Sequence, residues 1–325
     1  MFTRRTFSLA AVAALGAPYL TRARTEDLSN AIGDMPQLHS LLVRHADDTI
    51  FAQAPQGPGL DRPANIKSCS KSIVALLLGA AIERGEIPSV EARLSEVAPR
   101  LLPTNATPGA ENITMEDLVT LRAGLERTSG SNYGGWINSP NWISDALTRP
   151  MVAEPGGRMI YSTASTHILG AALAEATGKT LLAQARERLG APLGIDVPSW
   201  TRDPQGYYLG GNEMAITPRS MLKIAVLLRD RGVFDGAEVV PERWISASTR
   251  PHGQSAFSGL SYGYGWFLTS SGYALARGYG GQIIAAHPRR RLAVAITSDP
   301  TRPARSGGYF GELLDLLNGP ILALS

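Results

Sequence analysis

Strand-like segments stand at both ends of this 325-residue sequence, and helical patterns occupy most of the chain between them. Near the start, residues 40–54 contain two short apolar runs separated by Ala46-Asp47-Asp48, which predicts a β-hairpin. Near the end, four apolar runs with tight turns between them predict consecutive strands at 263–268, 273–278, 281–286 and 292–298. Strands at both ends with helices between them favour an α+β fold, in which the two chain ends build one antiparallel sheet flanked by helices.

The helical patterns differ in how much of their surface is apolar. Residues 69–84 are apolar on nearly every side, which predicts a buried helix that ends at Gly85. Thr114 and Thr217 are capping residues that mark two further helix starts. We predict further helices at 114–121, 161–190 with a break at Gly178, 217–231 and 309–318. The pattern predicts one domain at 24–325, with a mostly helical subregion inserted at about 100–215.

The first residues form a separate unit, because Arg4 and Arg5 precede an apolar stretch at 7–20. The paired arginines resemble a twin-arginine export signal, and residues 21–23 include small side chains suited to cleavage. The apolar stretch is shorter than the ~20 residues that a membrane-spanning helix needs. We therefore predict a signal peptide at residues 1–23 and a periplasmic or secreted protein. The alternatives are a buried N-terminal helix and an uncleaved anchor.

The charge balance argues against a nucleic-acid partner. Removal of residues 1–23 takes away three arginines and leaves 28 basic residues, equal to the 28 acidic residues, with no basic stripe. The five histidines show no spacing typical of metal ligands, and Cys69 is the only cysteine. We therefore predict no metal site, no cofactor and no internal disulfide.

One nucleophile motif is rejected on its context. Residues 259–263 match the pattern G-x-S-x-G around Ser261, which in hydrolases lies between a strand and a helix. Here a strand-like run follows, and no acidic residue lies between Ser261 and His287, the only later histidine. The sequence therefore argues against a nucleophile elbow at Ser261.

A second motif, Ser68-Cys69-Ser70-Lys71, lies at the start of the predicted buried helix. Residues three apart share a helix face, so the Ser68 hydroxyl and the Lys71 amine can be neighbours. A lysine activates a serine only when it is neutral, and burial lowers a lysine pKa towards that range. Arginine does not deprotonate in proteins, and this chain otherwise favours arginine over its four lysines. The alternative interpretation is a helix start with capping serines and a surface lysine.

Two distant segments support the catalytic interpretation. Residues 155–178 read PGGRMIYSTASTHILGAALAEATG, and residues 278–282 read GYGGQ before an apolar strand. Together with the Ser68 motif, they resemble the serine β-lactamase and penicillin-binding-protein superfamily, in particular its class C-like branch. That branch contains esterases, D-aminopeptidases and 6-aminohexanoate-dimer hydrolases. The resemblance extends from about residue 40 to about residue 320 and implies a β-lactamase-like fold.

The resemblance also implies roles for individual residues. It makes Ser68 the acylated nucleophile, Lys71 its base, and Tyr161 a phenol that shuttles a proton to the leaving group and ionises easily beside the lysine. It places an oxyanion hole at the backbone amides of Ser68 and Gln282. It also implies that two glycines let this edge strand approach the substrate closely, namely Gly280 and Gly281.

Two departures from the family pattern bear on the substrate. Thr163 replaces the usual asparagine of the second motif, and Tyr279 replaces the lysine or histidine of the third. Because that cation helps to hold the carboxylate of penicillin-type substrates, the change favours a small-molecule ester or amide. β-Lactamase or D-Ala-type peptidase activity remains an alternative, as does a sensor that acylates slowly or not at all. Tyr133 and Trp136 lie in a Gly/Ser/Asn-rich loop at 127–141, which is either a substrate rim or a surface connection.

Overall fold

An eight-stranded antiparallel sheet forms the centre of the computed structural model, which describes residues 25–325. The signal predicted at residues 1–23 lies outside the described residues. The strands of this sheet are β1 Leu38–His45, β2 Asp48–Gln53, β7 Gly253–Gln254, β8 Ser261–Tyr262, β9 Phe267–Leu268, β10 Ala274–Gly278, β11 Gln282–His287 and β12 Leu292–Ser298. Two small strand pairs lie outside it: β3 Ala64–Asn65 with β4 Ala215–Ile216, and β5 Val233–Phe234 with β6 Ala237–Glu238.

The first and last strands pair near one edge of the sheet, whose strand order is β2-β1-β12-β11-β10-β9-β8-β7. β1 pairs with β12, so that Leu41 lies opposite Ile296 and Val43 opposite Val294. Leu41, Leu42 and Val43 are all fully buried, which requires that both faces of the sheet are covered. This arrangement confirms the predicted α+β fold with a sheet built from both ends.

Helices cover the two faces of the sheet. They are α1 at 25–33, α2 Ser70–Glu83, α3 Leu94–Val97, α4 Met115–Val119, α5 Tyr133–Ile137, α6 Trp142–Leu147, α7 Thr163–Thr177, α8 Leu181–Ala185, α9 Ala191–Leu193, α10 Pro218–Arg229, α11 Glu242–Ser248 and α12 Tyr309–Leu316. Among the residues that the structure describes, no helix is long and apolar enough to cross a membrane.

The sheet separates two hydrophobic clusters, as the alternating side chains of β1 show. Leu41 and Val43 face the smaller cluster, which α1 and α12 cover with residues such as Leu28 and Phe310. Leu42 faces the larger cluster, which contains α2, α7 and α10. α2 is therefore a central helix of the protein, as its nearly continuous apolar sequence predicts. Helices α4 to α9 lie within 100–215, and their treatment as an inserted subregion stays a prediction.

Local sequence signals place the helix ends correctly. Thr114 caps α4 in a capping box with Asp117, and Thr217 caps α10 by accepting a hydrogen bond from the Ser220 amide. Gly178 ends α7 in the left-handed conformation that glycine tolerates best, with φ of 66°.

Two local predictions were wrong. The segment 127–141 is not a loop throughout, because residues 133–137 form α5. Of the strand predicted at 263–268, only Phe267–Leu268 form a strand, β9, and residues 263–266 are a tight turn that joins β8 to β9. Gly263 and Gly265 make this turn possible, since a Cβ at Gly263 would overlap the carbonyl oxygen of Ser248 and Gly265 has a φ of 80°.

Candidate active site

Ser68 lies in a short 3₁₀ turn, Lys67–Cys69, directly before α2. The preceding residue, Lys67, has a left-handed backbone with φ of 50°, which costs a non-glycine residue on the order of 1–3 kcal/mol. Two polar side chains hold this conformation: the Lys67 amide donates to Asn65 Oδ1 at 2.9 Å, and Lys67 Nζ pairs with Glu213 Oε1 at 3.0 Å. Asn65 Nδ2 in turn donates to Glu213. Asn65 and Glu213 therefore hold the turn that carries Ser68, the candidate nucleophile.

Lys71 lies one helical turn further on and is only 2% exposed. Its Nζ is 3.1 Å from Ser68 Oγ, 3.4 Å from Thr163 Oγ1 and 2.6 Å from the carbonyl oxygen of Gly211. Burial lowers the pKa of Lys71 from 10.5 to about 7, because a charged amine is poorly solvated among apolar side chains. The amine is therefore neutral in a large fraction of molecules near neutral pH, as a base for Ser68 must be.

Tyr161 completes the group around Ser68. Its ring centroid lies 5.0 Å from Lys71 Nζ, and the ring stacks on Phe267. Burial raises the pKa of Tyr161 to about 12, and a hydrogen bond with Ser68 opposes that rise. The direction is opposite to the easy ionisation that we expected, because burial outweighs the hydrogen bond with Ser68 and the positive charge of Arg277. The phenol therefore keeps its proton at neutral pH and can donate it.

A buried dyad supports the carbonyl that holds Lys71. His167 Nε2 lies 3.0 Å from Asp203 Oδ2, and both side chains are fully buried. The Gly210 amide donates to His167 Nδ1 at 3.4 Å, so Nε2 carries the ring proton. Gly211 follows directly and has no room for a side chain, since a Cβ there would lie 3.2 Å from Lys71 Nζ. The dyad thus holds the backbone at Gly210, one residue before the carbonyl that accepts from the lysine.

Ser68 opens into a cavity of about 480 Å³. Five residues singled out from the sequence reach it, and they come from the turn before α2, from the start of α5, from the start of α7 with the segment before it, and from the residue after β10: Ser68, Tyr133, Tyr161, Thr163 and Tyr279. Lys71 lies beneath Ser68 and does not line the cavity. Thr163 Oγ1 contacts Ser129 Oγ at 2.9 Å, so a hydroxyl cluster stands where the family pattern has an asparagine.

The structure does not bring Gln282, Gly280 or Gly281 to the cavity wall. Gln282 is fully buried at the start of β11, where its side-chain amide exchanges hydrogen bonds with the Ser298 backbone at 2.7 and 3.1 Å. A Cβ at Gly280 would overlap the carbonyl oxygen of Asp299, and both glycines have positive φ. None of the three residues lines the cavity, although the carbonyl oxygen of Gln282 accepts a hydrogen bond from Cys69 Sγ, next to Ser68.

The end of β10 reaches the cavity instead. Gly278 and Tyr279 line it, and Tyr279 is 53% exposed at its mouth. A Cβ at Gly278 would overlap the carbonyl oxygen of Ile66, so only glycine allows β10 to lie this close to the Ser68 turn. Within residues 25–325, the amides of Ser68 and Tyr279 donate to no other backbone carbonyl.

The two aromatic residues of the 127–141 segment have different positions. Tyr133 lines the cavity, and its hydroxyl accepts a hydrogen bond from Asn212 Nδ2 at 2.9 Å. Trp136 is fully buried, and its Nε1 donates to the carbonyl oxygen of Trp142 at 2.8 Å. Trp136 is therefore part of the core and does not form a substrate rim.

Several cavity residues were missed in the sequence, notably Arg277, Phe257 and Phe267. Arg277 had a readable signal, because side chains two apart along a strand point to the same side and Tyr279 had already been singled out. Phe257 is 62% exposed and lies in an irregular segment between β7 and β8 that carries no such pattern.

Two other reactive side chains are not placed for chemistry. Ser261 lies within β8, opposite Leu268 of β9, and the strand-to-helix turn of a nucleophile elbow does not occur there. Cys69 is fully buried, and burial raises the pKa of its thiol, whose sulfur donates to the carbonyl oxygen of Gln282. Within residues 25–325, no three His, Cys, Asp or Glu side chains form a group that could hold a metal ion.

Comparison with protein families agrees with this geometry. Residues 40–313, most of the chain, match the family model described as Beta-lactamase. The chain belongs to the beta-lactamase family. No curated protein matches this family member.

Solved structures share the fold of this beta-lactamase family member at low sequence identity. A family VIII carboxylesterase has a TM-score of 0.72 and 16% identity, covering 94% of this chain and 98% of its own. A penicillin-binding protein homologue from Caulobacter crescentus has a TM-score of 0.74 and 17% identity, covering 94% of this chain and 97% of its own. A Bacillus anthracis protein assigned as a 6-aminohexanoate-dimer hydrolase has a TM-score of 0.75 and 17% identity, covering 91% of this chain and 80% of its own. Family and fold together support a serine hydrolase in general.

Proposed function

We propose that this protein hydrolyses an ester or amide through an acyl-enzyme on Ser68. The observation that carries the proposal is the contact between Lys71 Nζ and Ser68 Oγ, 3.1 Å long, in a setting that lowers the pKa of the lysine to about 7. A serine hydroxyl becomes a useful nucleophile when an adjacent neutral base can take its proton. The cavity in front of Ser68 supplies room for the substrate.

In the acylation step, Lys71 accepts the Ser68 proton while Oγ attacks the substrate carbonyl. The proton then passes through the Tyr161 hydroxyl to the leaving oxygen or nitrogen as the carbonyl–leaving-group bond breaks. In deacylation, a water molecule gives a proton to Lys71 and attacks the acyl carbon, and Ser68 recovers that proton as the acid departs. A Tyr161 pKa of about 12 suits this role, because the phenol gives up a proton only as it receives another.

The oxyanion hole in this mechanism consists of the amides of Ser68 and Tyr279. Both residues line the cavity, and neither amide donates to another backbone carbonyl within residues 25–325. The close approach of β10 at Gly278 supports this assignment, and the burial of Gln282 counts against the alternative amide. Two preorganised amides would stabilise the negative charge that develops on the carbonyl oxygen.

The rate of ester hydrolysis is expected to depend on pH. The active enzyme has neutral Lys71, so kcat/KM for a nitrophenyl acetate ester should rise through a midpoint near pH 7 and then level off. Below the midpoint, the rate should fall about tenfold per pH unit as the amine becomes protonated. The measurement runs from about pH 5 to about pH 9, with Ser68→Ala supplying the background rate. A flat profile would count against Lys71 as the base.

The substrate class is best supported as an ester or a linear amide. The carboxylesterase and the penicillin-binding protein homologue share the fold, so fold alone does not choose between them. Tyr279 and Phe257 give the cavity mouth two exposed aromatic rings. Parallel turnover of a short-chain nitrophenyl ester, a chromogenic cephalosporin and a linear amide distinguishes the classes. Acylation without turnover of any of the three would favour the sensor alternative.

A further inference from the structure

The carbonyl oxygen of Gly211 decides how the amine of Lys71 is oriented. Its distance from Lys71 Nζ, 2.6 Å, is the shortest of three polar contacts, and the other two are with the hydroxyls of Ser68 and Thr163. A carbonyl only accepts hydrogen bonds, so it must receive an N–H of the lysine. A neutral amine has two N–H groups and one lone pair. When the N–H groups donate to Gly211 and Thr163, the lone pair points at the Ser68 hydroxyl, as a base for that hydroxyl requires.

The turn that carries this carbonyl needs a restraint from outside. Gly210 and Gly211 are consecutive glycines in an irregular turn before β4, and glycine has the greatest backbone freedom of all residues. The carbonyl oxygens of α7 leave no room for a side chain on either glycine, so the turn packs closely against this helix. Its one directed contact at Gly210 is the hydrogen bond from the amide to His167 Nδ1, since within residues 25–325 this amide donates to no backbone carbonyl.

Asp203 keeps His167 Nδ1 free to accept this hydrogen bond. Oδ2 of Asp203 lies 3.0 Å from His167 Nε2. Its Oδ1 accepts from the backbone amides of Gln205 at 3.0 Å and Tyr207 at 2.8 Å. Both oxygens therefore act as acceptors, which is the pattern of an ionised carboxylate. The ring proton consequently stays on Nε2 and the lone pair on Nδ1.

Stability alone does not explain this dyad. Both side chains are fully buried, and the rings of Trp136 and Trp142 pack against His167 with centroid distances of 5.8 and 5.5 Å. An apolar pair of similar volume often gives equal or greater stability in such a setting. Neither member of the dyad lines the cavity, so neither is placed to contact the substrate. The position of the dyad, one residue before the carbonyl that orients Lys71, points to a role in catalysis through the backbone.

We propose that His167 and Asp203 are positioning residues for the general base. They hold the backbone so that the Gly211 carbonyl accepts from Lys71 and the lysine lone pair points at Ser68. This inference rests on the proposed function and adds two residues that act on the base without touching the substrate. No bond forms or breaks in the dyad, and His167 stays neutral throughout the reaction.

Asp203→Asn tests the proposal by reversing the ring tautomer. The asparagine can keep its oxygen towards the two backbone amides, which turns its NH₂ group towards His167 Nε2. The ring proton must then move to Nδ1, which can no longer accept from the Gly210 amide. We expect kcat for nitrophenyl acetate at about pH 8 to fall about 10- to 100-fold with KM changed by less than about twofold, because the base is misplaced while the cavity is intact.

The pH profile separates positioning from a general loosening of the core. The Gly211 carbonyl stabilises the ammonium form of Lys71, so its displacement in Asp203→Asn should move the midpoint of kcat/KM about one pH unit below the wild-type value near pH 7. A looser core would instead admit water to the amine and move the midpoint up, towards the ordinary lysine pKa of 10.5. Cys69 and Tyr161 are titratable neighbours of Lys71, and burial raises the pKa of both, so neither ionises in this range.

Two variants serve as controls. His167→Gln carries one donor for Asp203 and one acceptor for the Gly210 amide, so it should keep kcat within about threefold of the wild type. Asp117→Asn changes the other buried aspartate within residues 25–325, which accepts the Thr114 amide at the start of α4. This variant should lower the Tm without changing kcat or the pH midpoint.

The inference is overturned by a folded Asp203→Asn protein with kcat within about threefold of wild type and an unchanged midpoint, or by a midpoint that moves up together with a lower Tm. If this variant does not unfold cooperatively, NMR of the imidazole nitrogens in the wild type decides. A neutral His167 ring with its proton on Nε2 throughout the active pH range supports the inference, and a proton on Nδ1 overturns it. Fluorophosphonate labelling of wild-type Ser68 would show that the proposed function stands even then, whereas an unreactive Ser68 would remove both.

Discussion

Replacing Lys71 with arginine is expected to lower kcat/KM for ester hydrolysis by about 10²–10⁴-fold, the usual contribution of a positioned general base. Arginine keeps its proton at the pH of the assay, so it cannot accept one from Ser68. The lysine can, because burial lowers its pKa to about 7. Steady-state kinetics at pH 8 would check the effect, and an arginine variant with more than a tenth of the wild-type rate would contradict it.

A methionine at the same position separates chemistry from folding. The folded-state pKa of Lys71, about 7, lies below its ordinary value of 10.5, so the unfolded chain binds more protons between these two pH values. The wild-type free energy of unfolding should therefore fall as the pH is lowered from 10.5 to about 7. Lys71→Met removes this loss of stability, so the variant should be inactive but have a Tm no lower than that of the wild type at pH 7. Lys71→Arg buries a permanent charge and should melt earlier.

Gly278→Ala is expected to lower kcat for ester hydrolysis by about 10²–10³-fold, the effect of losing one oxyanion-hole donor. The new Cβ would overlap the carbonyl oxygen of Ile66 and press against Gln282. β10 would have to move away from the Ser68 turn, taking the Tyr279 amide with it. The loss should appear in kcat more than in KM, because the amides act on charge that develops only in the transition state.

A second glycine provides the matched control. Gly33 lies in α1, where a new Cβ would meet no other atom within 4 Å, and its φ is not positive, so Gly33→Ala should retain wild-type kinetics. Thermal unfolding followed by circular dichroism shows whether Gly278→Ala still folds cooperatively. A folded Gly278→Ala protein with kcat within about threefold of wild type would argue against an oxyanion hole at the Tyr279 amide.

The architecture followed from local patterns because each pattern reports a local constraint. The apolar run of α2 requires burial on all sides, and the capping residues Thr114 and Thr217 satisfy amides that any helix start leaves open. The burial of Lys71 could be predicted for the same reason, because the apolar residues around it belong to its own helix. The turn between β8 and β9 was missed because the atoms that leave no room for a side chain at Gly263 and Gly265 come from residues distant in sequence.

The site details that departed from expectation depend on tertiary geometry. The sequence contains Gly280 and Gly281 but does not tell which amide of their turn faces Ser68; the structure directs Gln282 into the core. The pKa of Tyr161 rises because residues far along the chain bury it, which no spacing rule reveals.

The central claim is that Ser68 is the residue that becomes acylated. Intact-mass and peptide mass spectrometry after reaction with a fluorophosphonate probe tests it most directly. We predict one adduct per chain, located on Ser68, formed faster as the pH rises through about 7 and absent from Ser68→Ala. No adduct on the wild-type protein, or an adduct that persists in Ser68→Ala and maps to another residue such as Ser261, would contradict the account.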